Sequence, residues 1–214
     1  MKLRILYEDN HLIAVFKPAG ILTQGDFSKE KSLMDYVKEY LKEKYKKPGN
    51  VFLGLLHRLD RPVSGIILFA KTSKGASRLS EQFRNHEVEK IYHAITLAHP
   101  EKEKGILKNY FKKENNKAIE NPDGKLAELY YRLVVSNKDH SLLEIKIKTG
   151  RFHQIRAQLA LISCPVLGDV KYGAPFALKN KSIALCATSL SFLTTIKKEK
   201  KTISIKIPEE WKKY

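Results

Sequence analysis

The chain has 214 residues and carries 40 Lys plus Arg against 23 Asp plus Glu, a formal net charge of +17. That length suffices for a substantial core, and the excess cation points to an anionic partner, nucleic acid before a membrane surface. Residues 1–10 lack the apolar core of a signal peptide and no run approaches a membrane span, so a soluble cytoplasmic protein is expected.

In chain order, Leu3–Tyr7 and His11–Phe16 are apolar segments around a Glu8-Asp9-Asn10 turn, which predicts an opening hairpin. Lys17-Pro18-Ala19-Gly20 ends it. Ser32 is placed to cap a helix from Leu33 to about Tyr45, in which Leu33, Val37, Tyr40 and Leu41 recur at helical spacing. Ile66–Ala70 reads as a buried strand, and Ser73 as the cap of a second helix reaching about His86. Val88–Leu97 is predicted as a strand containing Tyr92. Residues 99–125 are polar and lysine-rich, a peripheral hairpin excursion with one short strand at Gly105–Phe111. Leu126–Val135 and Ser141–Thr149 follow as neighbouring strands; in the latter Leu143, Ile145 and Ile147 alternate with charged residues. A turn at Thr149 feeds a helix whose first turn holds His153, Gln154 and Arg156. Pro165–Gly173 is a loop, and strands near Ile183–Phe192 and Thr202–Ile207 close the chain. About nine strands and three or four helices without regular alternation predict an α+β fold with a mixed, largely antiparallel sheet, one domain in two lobes spanning residues 1–214.

Two stretches carry chemistry. The first, Leu55–Thr72, sets the carboxylate of Asp60 between Arg58 and Arg61 at the mouth of the Ile66–Ala70 strand. Charge delivered to a buried strand needs partners, because a lone desolvated carboxylate takes up a proton. The second is Thr149–Ile162, which presents Arg151 and Arg156. Arginine is scarce, eight residues against 32 Lys, yet four of the eight fall in these two stretches. The planar guanidinium fork makes bidentate contacts that lysine cannot copy, so the clustering suggests selection for geometry.

Several chemistries are absent from the sequence. There is no glycine-rich phosphate loop and no dinucleotide fingerprint. His57-Arg58-Leu59-Asp60 is superficially like a kinase catalytic loop, but its order is wrong and the companion motifs are missing. The seven His have no metal-ligand spacing, and Cys164 and Cys186 read as small buried apolar residues in a reducing compartment. What remains is one carboxylate with organised arginines in a cationic chain, and an aspartate can act as nucleophile or acid/base without a metal.

His57-Arg58-Leu59-Asp60 followed by Ser64-Gly65 resembles the signature of the RluA-type RNA pseudouridine synthases. Leu6–Gly20 resembles the family's opening motif, Glu89-Lys90-Ile91-Tyr92 its tyrosine segment, and Thr149–Arg156 its last motif, with Gly168-Asp169 and Tyr172-Gly173 after it. The resemblance implies the pseudouridine synthase fold, with flanking helices and a central cleft, and isomerisation of uridines in ribosomal or transfer RNA without cofactor or metal. It implies that Asp60 is the catalytic aspartate, attacking the uracil ring or the ribose anomeric carbon, and that Tyr92 stacks on the target base. Arg156 would pair with Asp60; an opposite charge at contact lowers an aspartate pKa by roughly 1–3. Arg58 would fill the gap left by the flipped uridine, with His57, Lys17, Arg151, His153 and Gln154 as further RNA-facing candidates. A monomer whose only partner is RNA is expected.

This sequence departs from the family pattern at Pro62-Val63, which should stiffen the loop after Asp60, and at Phe152, where a hydroxyl is usual. The opening motif begins at Leu6, so the small N-terminal RNA-binding domain of many relatives is expected to be absent. Arg61 is left without a role. A non-catalytic RNA-binding module and a nucleoside hydrolase acting through Asp60 are the competing readings.

Overall fold

The computed structural model describes residues 2–214. In chain order the elements are β1 (Arg4–Glu8), β2 (Leu12–Lys17), α1 (Leu33–Lys44), β3 (Gly54–Leu55), β4 (Ser64–Ala70), α2 (Ser73–Arg84), β5 (Glu89–Thr96), β6 (Lys104–Glu114), β7 (Lys117–Glu120), β8 (Lys125–Ser136), β9 (Ser141–Ile147), α3 (Gln154–Leu161), β10 (Leu185–Leu193) and β11 (Lys200–Ser204). The fold is α+β, and β1–β2, β2–β4, β5–β9, β6–β8 and β8–β9 are all antiparallel pairs. The chain forms two compact units. The first runs to Val88 and is completed by Leu190–Ile205; the second is Glu89–Ser189 with Lys206–Tyr214.

In the first unit β2 lies between β1 and β4, with Ile13 opposite Phe69 and Lys17 opposite Gly65. Every residue from Ile66 to Ala70 is buried, which explains why β4 reads as an unbroken apolar run rather than an alternation. Leu12, Ala14, Ile66 and Leu68 pack with Leu79 of α2 and with Leu190 and Phe192 of β10. Helix α1 begins with a capping box: the Asp35 amide donates to the Ser32 hydroxyl and the Ser32 amide to the Asp35 carboxylate. Helix α2 is capped by Thr72 rather than Ser73. Thr72 is the residue that keeps extended φ and ψ, so its hydroxyl, not that of Ser73, accepts the Gly75 amide at 3.1 Å.

In the second unit the strand order is β5-β9-β8-β6-β7. The 99–125 segment holds more sheet than its polarity suggests, with 11 residues in β6 and four in β7 against 12 in β8. Asn115 and Asn116 join β6 to β7 with φ of 44° and 56°, the left-handed pair that a two-residue hairpin needs. Helix α3 lies against one face of these strands. Gln158 Nε2 donates to the Leu107 carbonyl at 3.0 Å and to Asn109 Oδ1 at 2.8 Å, and Ala157 packs with Phe111, Ala118 and Ala127. Tyr110 and Tyr130, on the opposite face, are exposed.

Candidate active site

Asp60 follows β3 in the first unit, and the backbone on either side of it is tied down. Before it, Leu59 and Thr23 are joined twice: the Thr23 hydroxyl donates to the Leu59 carbonyl at 2.8 Å and accepts its amide at 3.2 Å. After it, the Val63 amide closes a tight turn onto the Asp60 carbonyl at 3.1 Å, with Pro62 inside the turn. Lys17 then holds the far side. Its Nζ donates to the carbonyls of Val63 at 2.7 Å, Arg61 at 3.1 Å and Pro18 at 3.2 Å. Gly65 leaves the turn at φ 130°, a backbone conformation that glycine adopts at little cost, and enters β4 opposite Lys17.

Lys17 has no exposed surface. Burial pushes its ammonium down to about 7; the nearby Asp60 carboxylate pulls the other way, and Arg61 adds to the depression. A lysine near its titration midpoint at neutral pH, bonded to the turn that follows the candidate nucleophile, is a group the sequence alone flagged only by position. Arg61 has its role outside this clamp. Its Nη atoms grip the Glu30 carboxylate at 3.2 and 2.7 Å, its Nε donates to the Gly20 carbonyl, and its own carbonyl accepts the Gly20 amide. Arg58 is exposed, whereas His57 is half-buried; its Nε2 accepts the Leu68 amide at 3.0 Å and its ring stacks on Phe83.

Tyr92 lies on β5 in the second unit, on the buried side of the strand and opposite Ile145. Arg156 lies in the first turn of α3, 5 % exposed, and its fork closes on Asp169: Nε to Oδ2 at 2.6 Å and Nη2 to Oδ1 at 2.8 Å. Asp169 is itself 1 % exposed. The Tyr172 ring lies 5.1 Å from the guanidinium carbon, so the cation is held in its plane by a carboxylate and over an aromatic face. Asp169 is the residue sequence reasoning missed. Its only signal was the Gly168-Asp169 pair, whose purpose no local pattern discloses.

His153 precedes α3 in the left-handed region at φ 50°. Burial, helped by the charges of Arg156, Lys171 and Lys113, lowers its pKa to about 3, so the ring is neutral at physiological pH. The Tyr172 hydroxyl accepts the Ala118 amide at 2.7 Å and lies 2.9 Å from His153 Nδ1. Phe152, the residue at the usual hydroxyl position, stacks on His153 at 3.8 Å and carries Lys113 over its ring. Gln154 is buried and works on the backbone: Oε1 accepts from the Thr149 hydroxyl and the Arg151 amide, and Nε2 donates to the Glu128 carbonyl. Arg151 is exposed, with Nε on the Leu126 carbonyl at 2.8 Å. Among the described residues no group of three or more His, Cys, Asp or Glu is arranged to hold a metal ion, and no helix is long and apolar enough to cross a membrane.

Comparison with known proteins gives a consistent family. The RNA pseudouridylate synthase family matches residues 11–161. The chain is 37% identical over 211 residues to the ribosomal large subunit pseudouridine synthase C of Rickettsia prowazekii (strain Madrid E), covering 95% of this chain and 68% of that protein. It is 41% identical over 175 residues to the protein of the same name from Rickettsia typhi (strain ATCC VR-144 / Wilmington), covering 79% of this chain and 56% of the relative. The chain thus spans between half and about two thirds of these relatives' length. Among solved structures, human RNA pseudouridylate synthase domain containing 4 superposes with a TM-score of 0.81 at 24% identity, over 97% of this chain and 90% of that one. Human RNA pseudouridylate synthase domain containing 1 gives 0.72 at 20% identity, over 96% and 83%.

Proposed function

The chain belongs to the RNA pseudouridylate synthase family, and from that premise we propose that it converts uridine in RNA to pseudouridine. In this isomerisation the glycosidic N1–C1′ bond breaks and a C5–C1′ bond forms, while C5 loses a proton and N1 gains one. No oxidant, reductant or second substrate enters the balance. Asp60 is the attacking carboxylate, Tyr92 stacks on the displaced base, Arg156 supplies the positive charge that keeps Asp60 ionised and aimed, and Arg58 takes the place of the flipped uridine in the RNA stack. Flipping costs a few kcal/mol, and a planar guanidinium that stacks and donates hydrogen bonds offsets part of it. From the names of its relatives we extend the proposal to ribosomal RNA of the large subunit as the preferred substrate.

The observation that supports this reading best is the framing of Asp60. Thr23 binds Leu59 from one side, and Lys17 spends a fully buried ammonium on the carbonyls of Arg61 and Val63 on the other. A carboxylate that only made a surface ion pair would need no such support, whereas a nucleophile must be held to a fraction of an ångström. The test uses transcripts of large-subunit ribosomal RNA and of transfer RNA labelled with tritium at uridine C5. Tritium is released by the wild type on the ribosomal transcript and lost by at least a thousandfold in Asp60→Asn, with no free uracil. Release that persists in Asp60→Ala overturns the assignment, free uracil makes the chain a hydrolase, and silence on every transcript makes it a binding module.

A further inference from the structure

The face of the second unit's sheet opposite α3 has an unusual make-up. Strand alternation turns Lys104, Ile106, Lys108, Tyr110 and Lys112 of β6 outward, and the register fixes their neighbours. Lys104 is opposite Arg132, Ile106 opposite Tyr130, Lys108 opposite Glu128 and Tyr110 opposite Leu126. Strand β9 adds Lys146 beside Tyr130 and Glu144 beside Arg132, and β7 adds Ile119 beside Lys112. Tyr110 is 49% exposed, Tyr130 38% and Ile106 61%. Five cations therefore share this face with two carboxylates. Glu128 is already engaged by Lys108 and Lys148 and Glu144 by Arg132 at 2.7 Å, while from the edges of the face Asp123 engages Lys112 at 3.3 Å and Glu89 engages Lys146 at 3.7 Å. With Lys148 counted, six cations stand against four carboxylates, and the solvent-exposed pairs are weak enough to exchange for phosphates.

Outward lysines by themselves have a plain explanation, since charged side chains keep exposed strands from pairing with other chains. That explanation does not account for the aromatic and branched residues set between them. Leaving two tyrosine rings and an isoleucine in water on a rigid sheet forgoes the burial they would otherwise gain. A protein partner would use the apolar residues, but the cores of protein interfaces are depleted in lysine, and here lysine stands at every second outward position of β6. Aromatic rings on a sheet with lysines around them are what unpaired bases and their phosphates need: the rings stack on any base, and the ammonium groups follow the backbone. Tyr130 faces Ile106, four residues along β6 from Tyr110, so the rings stand about 13 Å apart along the strand direction.

We propose that this outer face of β6–β9 is a second RNA-contact surface, on which Tyr110 and Tyr130 stack unpaired bases and Lys104, Lys108, Lys112 and Lys146 hold phosphates. It rests on the reading of the chain as an RNA-modifying enzyme, and gives the 99–125 excursion a purpose within it: to grip single-stranded RNA away from the target uridine. The probe is an unstructured, uridine-free oligonucleotide of A and C, about 16 nucleotides long, labelled with fluorescein and followed by anisotropy. The double variant Tyr110→Ala/Tyr130→Ala should bind it at least tenfold more weakly than the wild type, with an unchanged melting temperature. Lys108→Glu/Lys112→Glu should also weaken it, and the slope of log Kd against log salt should fall by roughly 1 for each phosphate that is no longer neutralised. Both double variants binding within twofold of the wild type would overturn the proposal, and so would a protein ligand whose capture needs the tyrosines while the oligonucleotide does not. The probe holds no uridine, so its result is separate from that of the tritium assay. Tyrosine-dependent binding by a chain that releases no tritium supports the surface and removes the isomerase; release without such binding does the reverse.

Discussion

The buried Lys17 ties stability to pH with a definite sign. Its ammonium has a pKa of about 7 in the folded chain against 10.5 when exposed, because burial outweighs the attraction of Asp60. Below pH 7 both states carry the proton, and the folded state bears the cost of burying it. Between about 7 and 10.5 the unfolded chain binds a proton that the folded chain does not, so stability rises with pH across that window. At 1.36 kcal/mol per pKa unit the full rise is on the order of 5 kcal/mol. Lys17→Met keeps the stem and removes the titration. It also removes donors to three carbonyls while sparing the cost of a buried charge, opposing effects that set the offset between the two proteins but not its slope. The quantity to follow is therefore the unfolding free energy of wild type minus variant, from urea titrations at half-unit steps from pH 6 to 10; all other lysines cancel in it. The difference should climb by about 3–5 kcal/mol over that range. Asp60→Asn, which deletes the charge that supports the ammonium, should move the onset to lower pH. A difference that stays flat, or falls as pH rises, would refute the clamp.

Three other outcomes follow from the same geometry. Asp169→Ala, which takes the carboxylate from a buried bidentate pair with Arg156, should cost about 3–5 kcal/mol in urea unfolding, with Asp169→Asn in between. Thr23→Val should cost about 1–3 kcal/mol, since the Leu59 amide and carbonyl lose their shared partner, and should lower kcat for tritium release more than it changes KM. His153, with its pKa near 3, should show no change in its ring proton shifts between pH 8 and 5 by NMR. Its contribution to stability should grow with pH from about 3 to 6.5, where only the unfolded chain takes up the proton. A His153 midpoint near 6 would show that the ring is not held neutral.

Elements were legible in the sequence where one residue type met one environment. The Ile66–Ala70 run and the Ser32 cap of α1 could be read from local chemistry, since five buried residues in a row and a Ser-x-x-Asp box have few other uses. The α2 cap was displaced by one residue because Thr72 and Ser73 both carry hydroxyls, and only the backbone conformation says which of them lies outside the helix. Strand β6 was underestimated for a different reason. Its inner face mixes Leu107 and Phe111 with Gly105 and Asn109, and its outer face sets Ile106 and Tyr110 among lysines, so neither side gives the clean apolar-against-polar contrast on which period-two reading depends. Lys17 shows the limit from the other direction. Lysine is almost never fully buried, and nothing in Phe16-Lys17-Pro18 announces that its ammonium meets the carbonyls of Arg61 and Val63, 44 and 46 positions away.

The four clustered arginines sharpen that limit into a rule about what sequence can and cannot supply. Their scarcity against lysine argued for sites that need a planar fork, and two of the four make bidentate carboxylate pairs: Arg61 with Glu30 and Arg156 with Asp169. Arg132, outside both stretches, makes a third with Glu144. Residue type therefore disclosed the kind of bond. The identity of the partner was hidden, because Glu30 lies 31 positions from Arg61 and Asp169 lies a loop beyond Arg156. Choosing the partner by the nearest motif would have assigned Arg61 to the Asp60 beside it, where its actual work is to hold Glu30 and the Gly20 carbonyl. A fork that fixes a loop and a fork that faces RNA look identical in a string of letters. What separates them is where their carboxylates stand, and only the fold decides that.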